Sequence, residues 1–216
     1  MGQRKESKKN FFSYSLTFLL SYSLTLCLYT CLYASDEIYA TSVVKSPIEN
    51  GSAVKKMATI VLNDCIKVKE IQIIKVDGRV SLKYPTYISK NSREYPQFEP
   101  LTKQAKDEIE KVVETGKPSA KESKSMSYKI SKFSRFNSES ALKVFCAIDF
   151  NNAVRLECKV MENGKGAWIS WPSRKPDGEG KWVKQVIIIN KKLKDSVEKE
   201  LLDKYKTFVS ESSEEE

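Results

Sequence analysis

Residues 59–68, TIVLNDCIKV, and residues 147–156, AIDFNNAVRL, read alike at a spacing of 88. Each is an apolar run, a pair of Asn or Asp residues, and a second apolar run. Asn and Asp tolerate the positive φ that a two-residue hairpin demands, so each stretch predicts two antiparallel strands joined by a tight turn. Around the second stretch, Leu142, Val144, Cys146, Ile148 and Phe150 alternate with Lys143, Ala147 and Asp149. That is the period of a half-buried strand.

Working outward, the likeness persists. Past a one-residue gap the spacing becomes 87, and Ile73, Ile74, Leu82, Tyr84 and Pro85 lie over Val160, Met161, Ile169, Trp171 and Pro172, with Gly78 one place off Gly164. Each copy closes in a charged, helix-like segment, residues 101–114 and residues 190–206. In the second, Leu193, Val197, Leu201, Leu202 and Tyr205 form one apolar stripe able to cover a sheet. The predicted fold class is therefore α+β: two tandem small domains, residues 37–114 and 127–208, each an antiparallel sheet with a C-terminal helix. Residues 115–126, TGKPSAKESKSM, predict a flexible linker. Residues 209–216, ending in three glutamates, predict a disordered acidic tail.

Residues 1–36 precede the first predicted strand. Arg4, Lys5, Lys8 and Lys9 stand against Glu6 alone, and residues 11–34 carry no charge, with 17 apolar or aromatic side chains among 24. A basic start before an uncharged run is the pattern of a secretory signal or an N-terminal membrane anchor. Leu32, three places before Ala34, is a poor residue for cleavage there. A start codon placed too far upstream is the third reading, because the first domain begins near Ile38 and does not need the leader. If these residues are translated, the chain is expected to be held at a membrane through residues 11–34.

Composition narrows the chemistry. The 216 residues contain no histidine, which removes Ser-His and Cys-His nucleophiles, a His general base and His-containing zinc sites. Of five cysteines, Cys27 and Cys31 fall in the leader, while Cys65, Cys146 and Cys158 sit in strand-like runs without any Cys-x-x-Cys pair. Buried free thiols are expected there, not a disulfide framework or a metal site. Ser173 has no base in its segment, Asp177 and Glu179 have no visible acidic partner, and no phosphate-cradling Gly-rich loop precedes a helix. Neither an enzyme nor a cofactor is expected.

Lys and Arg number 37 against 28 Asp and Glu, a net charge of +9 that favours a polyanionic partner. The charge is uneven: residues 127–206 hold 17 basic and 10 acidic side chains, residues 38–116 hold 13 and 10. Arg174 and Lys175 lie between Pro172 and Pro176, and Lys181, Lys184, Lys191, Lys192 and Lys194 follow. Lysines at a helix start oppose its dipole, a mild cost that a bound anion offsets. Among the tryptophans, alternation puts Trp171 with Ile169 on the core face and Trp168 on the other, which leaves Trp168 as the candidate for stacking on a base.

Residues 141–190 resemble the stage V sporulation protein G (SpoVG) family. The resemblance rests on Ala147-Ile148-Asp149-Phe150-Asn151-Asn152, on Asn163-Gly164, and above all on the run from Trp168 to Gly178, WISWPSRKPDG. In that family a strand ends in a Met-Pro-Ser-basic-basic loop followed by Pro-Asp-Gly; here it ends in Trp-Pro-Ser-Arg-Lys with one residue fewer before Pro176. The likeness covers nearly all of residues 127–206. Residues 38–114 look like a degenerate member that keeps the Leu-Asn-Asp turn and Tyr84-Pro85 but has Thr86-Tyr87-Ile88-Ser89-Lys90-Asn91 in place of the basic loop. The resemblance implies small sheets with a C-terminal helix, usually a homodimer joined through its sheets, and a cytoplasmic DNA- and RNA-binding regulator linked to septum formation. Two fused copies would then make an internal pseudo-dimer, as a monomer or a low-order homo-oligomer. The expected nucleic-acid-binding residues are Arg174, Lys175, Lys181, Lys184, Lys191, Lys192 and Lys194, with Arg174 able to grip guanine bidentately. The competing reading is a protein-interaction module of cell division, without nucleic acid, in which sheet edges receive a partner strand.

Overall fold

Asn63 and Asp64 adopt φ of 48° and 50°, and Asn151 and Asn152 both adopt 49°, so both predicted hairpins close through left-handed residue pairs. The computed structural model describes residues 37–47, 56–76, 79–89, 91–119, 125–136, 139–175 and 181–213. The leader read as signal, anchor or upstream translation lies outside them. Among the described residues, no helix is long and apolar enough to cross a membrane.

The first hairpin joins β2 (Lys56–Leu62) to β3 (Ile66–Val76), flanked by β1 (Ala40–Pro47) and β4 (Arg79–Lys83). A short ribbon follows, β5 (Thr86–Ile88) with β6 (Glu94–Pro96), then β7 (Phe98–Pro100) and helix α1 (Lys103–Thr115). The second half repeats the order: β8 (Tyr128–Arg135), β9 (Leu142–Phe150), β10 (Val154–Asn163), β11 (Gly166–Ser170), the ribbon β12 (Ser173–Arg174) with β13 (Val183–Lys184), β14 (Val186–Ile188) and helix α2 (Lys191–Ser213). Helix α2 continues through Ser213, four residues further than Val209, where the tail was expected to begin. The basic segment after Pro172, expected as a loop, starts instead as a strand, with Ser173 opposite Lys184 and Arg174 opposite Val183.

The two halves exchange strands. One antiparallel sheet runs β1-β2-β3-β14 with β4 also on β3; the other runs β11-β10-β9-β8 with β7 also on β10. Val186 and Ile188 thus pair with Val68 and Ile66, while Phe98 and Pro100 pair with Leu156 and Val154. Every one of these four pairs maps onto another at the spacing of 88. The supporting bonds obey the same spacing: Lys69 N donates to Gln185 O at 2.8 Å and Glu157 N to Gln97 O at 3.1 Å, while Leu101 N and Ile189 N each donate at 2.7 Å to Ala153 O and Cys65 O.

The helices start where short polar side chains cap them. Thr102 Oγ1 accepts from Ala105 N and Asn190 Oδ1 from Leu193 N, both at 3.1 Å, satisfying a backbone donor that the first turn leaves open. Helix α1 ends at Gly116, whose φ of 72° is the left-handed cap that glycine adopts without a Cβ clash. Against the sheets α1 buries Ala105, Ile109, Val112 and Val113, and α2 buries Val197, Leu201 and Tyr205. Between them one apolar cluster runs through both halves, from Ile38, Ile60 and Phe98 to Phe150, Leu156 and Val186. Cys65, Cys146 and Cys158 are buried free thiols; Cys146 and Cys158 face each other across β9 and β10. The hydrogen bond with the neighbouring Cys146 sulfur, and then burial, push the Cys158 thiol well up, which keeps it unreactive.

Strand β3 departs from the symmetry at one point. Ala58 pairs with Ile71 and Ile60 with Val68, so β3 carries one residue more than β2 across that step. In the second half the equivalent step is regular, Cys146 with Cys158 and Ile148 with Leu156. The surplus residue is Glu70, whose φ is 57°. A single left-handed residue in an antiparallel pair is a β-bulge, and here it accounts for the one-residue gap in the sequence match.

Candidate nucleic-acid interface

The ribbon of β12 and β13 gathers what the sequence scatters over eleven residues. Lys175, Lys181 and Lys184 are exposed on it, and Trp182 is the most exposed large hydrophobic side chain among the described residues, at 67%. The ribbon is anchored at its base. Pro172 is buried, and its carbonyl accepts from Gln185 N at 2.9 Å.

Arg174 does not stand clear of the surface. Its Nε and Nη2 donate to the two carboxylate oxygens of Glu70, each at 2.7 Å, and the buried Gln185 adds a bond from Nε2 to Glu70 Oε2 at 2.9 Å. Burial pushes the Glu70 carboxyl up, but these bonds and the guanidinium charge outweigh it and hold it below its ordinary value. A bidentate pair of this kind is the planar fork meeting a carboxylate. The left-handed bulge is what turns the Glu70 side chain out of the ladder toward the ribbon of the other half.

The expected cluster at the start of α2 is divided. Lys191 pairs with Asp195 and Lys194 with Glu198, one turn on, and both Lys191 and Lys192 are exposed. The hydrogen bond to Asp195 raises the Lys191 ammonium further. Trp171 is half-buried against the core, its Nε1 donating to Glu198 at 2.6 Å, as alternation predicts. Trp168, on the opposite face, is 41% exposed. Alternation places Trp168 and Trp171 but says nothing of Trp182, although its position between Lys181 and Lys184 on a short ribbon is the signal for an exposed aromatic. No sequence signal ties Glu70 to Arg174, 104 residues away.

In the first half the matching ribbon is aromatic. Thr86, Tyr87 and Ile88 stand where Ser173, Arg174 and Lys175 stand in the second. Each ribbon leans on the long central strand of the other half: Arg174 on Glu70 of β3, and Tyr87 on Lys159 of β10, whose Nζ lies 4.6 Å from the ring centroid.

Fold and site define a class, that of small α+β proteins made of antiparallel sheets that present a cationic ribbon beside a C-terminal helix. This chain belongs to the SpoVG family. The family model described as SpoVG matches residues 126–207. A protein of Caldicellulosiruptor saccharolyticus named "Putative septation protein SpoVG" is 32% identical over 78 residues, which cover 35% of this chain and 86% of that protein. No solved structure matches.

Proposed function

We propose that the chain is a nucleic-acid-binding regulator with a role in septation, and that its ribbon of β12 and β13 supplies the phosphate contacts. The observation that carries this reading is the convergence of Arg174, Lys175, Lys181 and Lys184 on one ribbon beside the exposed Trp182. Cations on a rigid two-stranded element meet a phosphate backbone at little entropic cost, and each neutralised phosphate adds to the salt dependence. The septation role draws on membership of the SpoVG family and on the name of the Caldicellulosiruptor protein.

Residues 37–114 and 127–208 act in this reading as the two halves of an internal dimer. The reciprocal exchange of β7 and β14, with every paired residue repeated at a spacing of 88, supports it. Because the first half carries Thr86, Tyr87 and Ile88 in its ribbon, phosphate binding is assigned to the second half alone. The test is binding of the full chain to mixed-sequence DNA and RNA across a salt series. A steep salt slope that flattens in Arg174→Ala with Lys175→Ala is the expected result; an unchanged slope in that variant sinks the ribbon assignment.

A further inference from the structure

The outer face of the second sheet carries a line of aromatic side chains that the basic ribbon does not use. Alternation along β10 buries Val154, Leu156, Cys158 and Val160 in the core and sends Lys159 and Met161 to the other side. On that side Tyr95 and Tyr87, paired across the first ribbon, have ring centroids 6.4 Å apart. Lys159 Nζ sits 4.6 Å from Tyr87 and 5.9 Å from Phe145, and Phe145 meets Phe136 edge to face at 5.4 Å. Trp168 lies on the same face, opposite Met161, two residues along β11 from Ser170, which stands opposite Lys159. The exposures are 45% for Tyr87, 46% for Tyr95, 40% for Phe136 and 41% for Trp168.

Lys159 decides what this surface suits. It is half-buried among the rings and has no ion-pair partner among the described residues; burial lowers its pKa. A purely apolar partner would leave that ammonium without compensation, whereas a ligand that is both aromatic and anionic satisfies rings and cation together. Unpaired nucleotides have this chemistry, because each base offers a π-face and each link a phosphate. Paired bases do not, since their faces are already stacked.

We propose that Tyr87 and Tyr95 beside Lys159, with Trp168 further along the same face, form a stacking track for single-stranded nucleic acid. The proposal rests on the nucleic-acid reading above and names the form of the ligand. The first half, which lacks the basic segment, thereby contributes an aromatic one to the same task, and the track spans both halves because the ribbon of one lies on the sheet of the other.

The experiment titrates the full chain at low salt with a labelled mixed-sequence single strand and with the same sequence as a duplex. In Tyr87→Leu with Tyr95→Leu, single-strand affinity is expected to fall by about 10-fold or more, consistent with roughly 1–3 kcal/mol per stacked base, while duplex affinity stays within about twofold. Arg174→Ala with Lys175→Ala weakens both forms. Unchanged single-strand affinity in the tyrosine variant overturns the track and leaves the basic ribbon standing, and so does an equal loss on both forms. A wild-type chain that binds neither form ends the nucleic-acid reading and the track with it. If the tyrosine variant turns a dimer into a monomer in sedimentation without touching single-strand affinity, the face belongs to a second copy and the proposal fails. Photo-crosslinking of a bromouridine-substituted single strand to the wild-type chain needs no variant: adducts on the peptides holding Tyr87, Tyr95 or Trp168 are expected, and adducts confined elsewhere overturn the track.

Discussion

The carboxylate of Glu70 accepts both forks of the Arg174 guanidinium at 2.7 Å, across the boundary between the two halves of the chain. The acid is the surplus residue of β3, and the base is the residue best suited to grip a phosphate or a guanine edge. A bound phosphate and Glu70 therefore compete for one guanidinium. Glu70→Gln, which keeps size and polarity, is expected to raise polyanion affinity at fixed salt and to steepen the logarithmic salt slope by about 0.7–0.9, the increment for one more phosphate neutralised. The same salt series as above reads both quantities; a shallower slope would show that Arg174 needs Glu70 to hold its position.

Asn63 and Asn151 predict a stability cost that their surface neighbours do not. Both are buried, both are left-handed, and their Nδ2 groups donate to one carbonyl, that of Glu37, at 3.3 and 3.2 Å. Their Oδ1 atoms accept from Tyr39 N at 2.9 Å and Ser127 N at 2.8 Å. Alanine at either site leaves buried donors unpaired and forces a Cβ-bearing residue without a compensating side chain into the left-handed region, together worth about 2–4 kcal/mol. Denaturant midpoints should fall accordingly, and the double variant should cost more than the sum, because each single variant leaves the Glu37 carbonyl one of its two donors and only the double removes both.

The contrast between those residues and Arg174 shows what a single sequence makes legible. A hairpin turn is a local event: Asn63-Asp64 and Asn151-Asn152 accept the positive φ that a tight turn needs, so the turns, the alternation and the helical segments can be read directly. The face of Trp171 is legible for the same reason, since period two follows from the pleat. Strand exchange is not. The pattern of Phe98 or Val186 says that the residue is buried, not which sheet receives it, and Val186 pairs with a strand more than a hundred residues earlier. The basic ribbon was visible as composition, while its acidic counterpart appeared only as a gap in the alignment of the two halves.

Acid sensitivity is expected to centre on Asp149. Burial pushes its carboxyl up, but bonds from Arg155 Nε at 2.6 Å, Arg155 Nη2 at 2.9 Å and Ser131 Oγ at 2.8 Å outweigh that and leave it below the ordinary value. A carboxyl held lower in the folded than in the unfolded chain stabilises the fold fully above the unfolded pKa of about 4, and that contribution is lost as pH falls through the folded pKa. Thermal midpoints should stay level from about pH 7 to 5 and drop below about pH 4. Asp149→Asn should start lower and show a smaller drop; an identical acid limb in the variant would assign the sensitivity to other carboxylates.

Phe98 tests whether the exchanged strands make the halves one unit. It belongs to β7 of the first half, yet it is 1% exposed and pairs with Leu156 of the second sheet. Tyr84 of its own half packs on it with ring centroids 5.3 Å apart. Truncation to alanine removes packing from both sides at once and is expected to cost about 3–5 kcal/mol. If the exchange couples the halves, calorimetry of the full chain gives one transition for residues 37–213 and Phe98→Ala lowers that single transition without splitting it. Two transitions in the wild type, with only one displaced by the substitution, would mean that each half is stable alone and that the exchanged strands only dock.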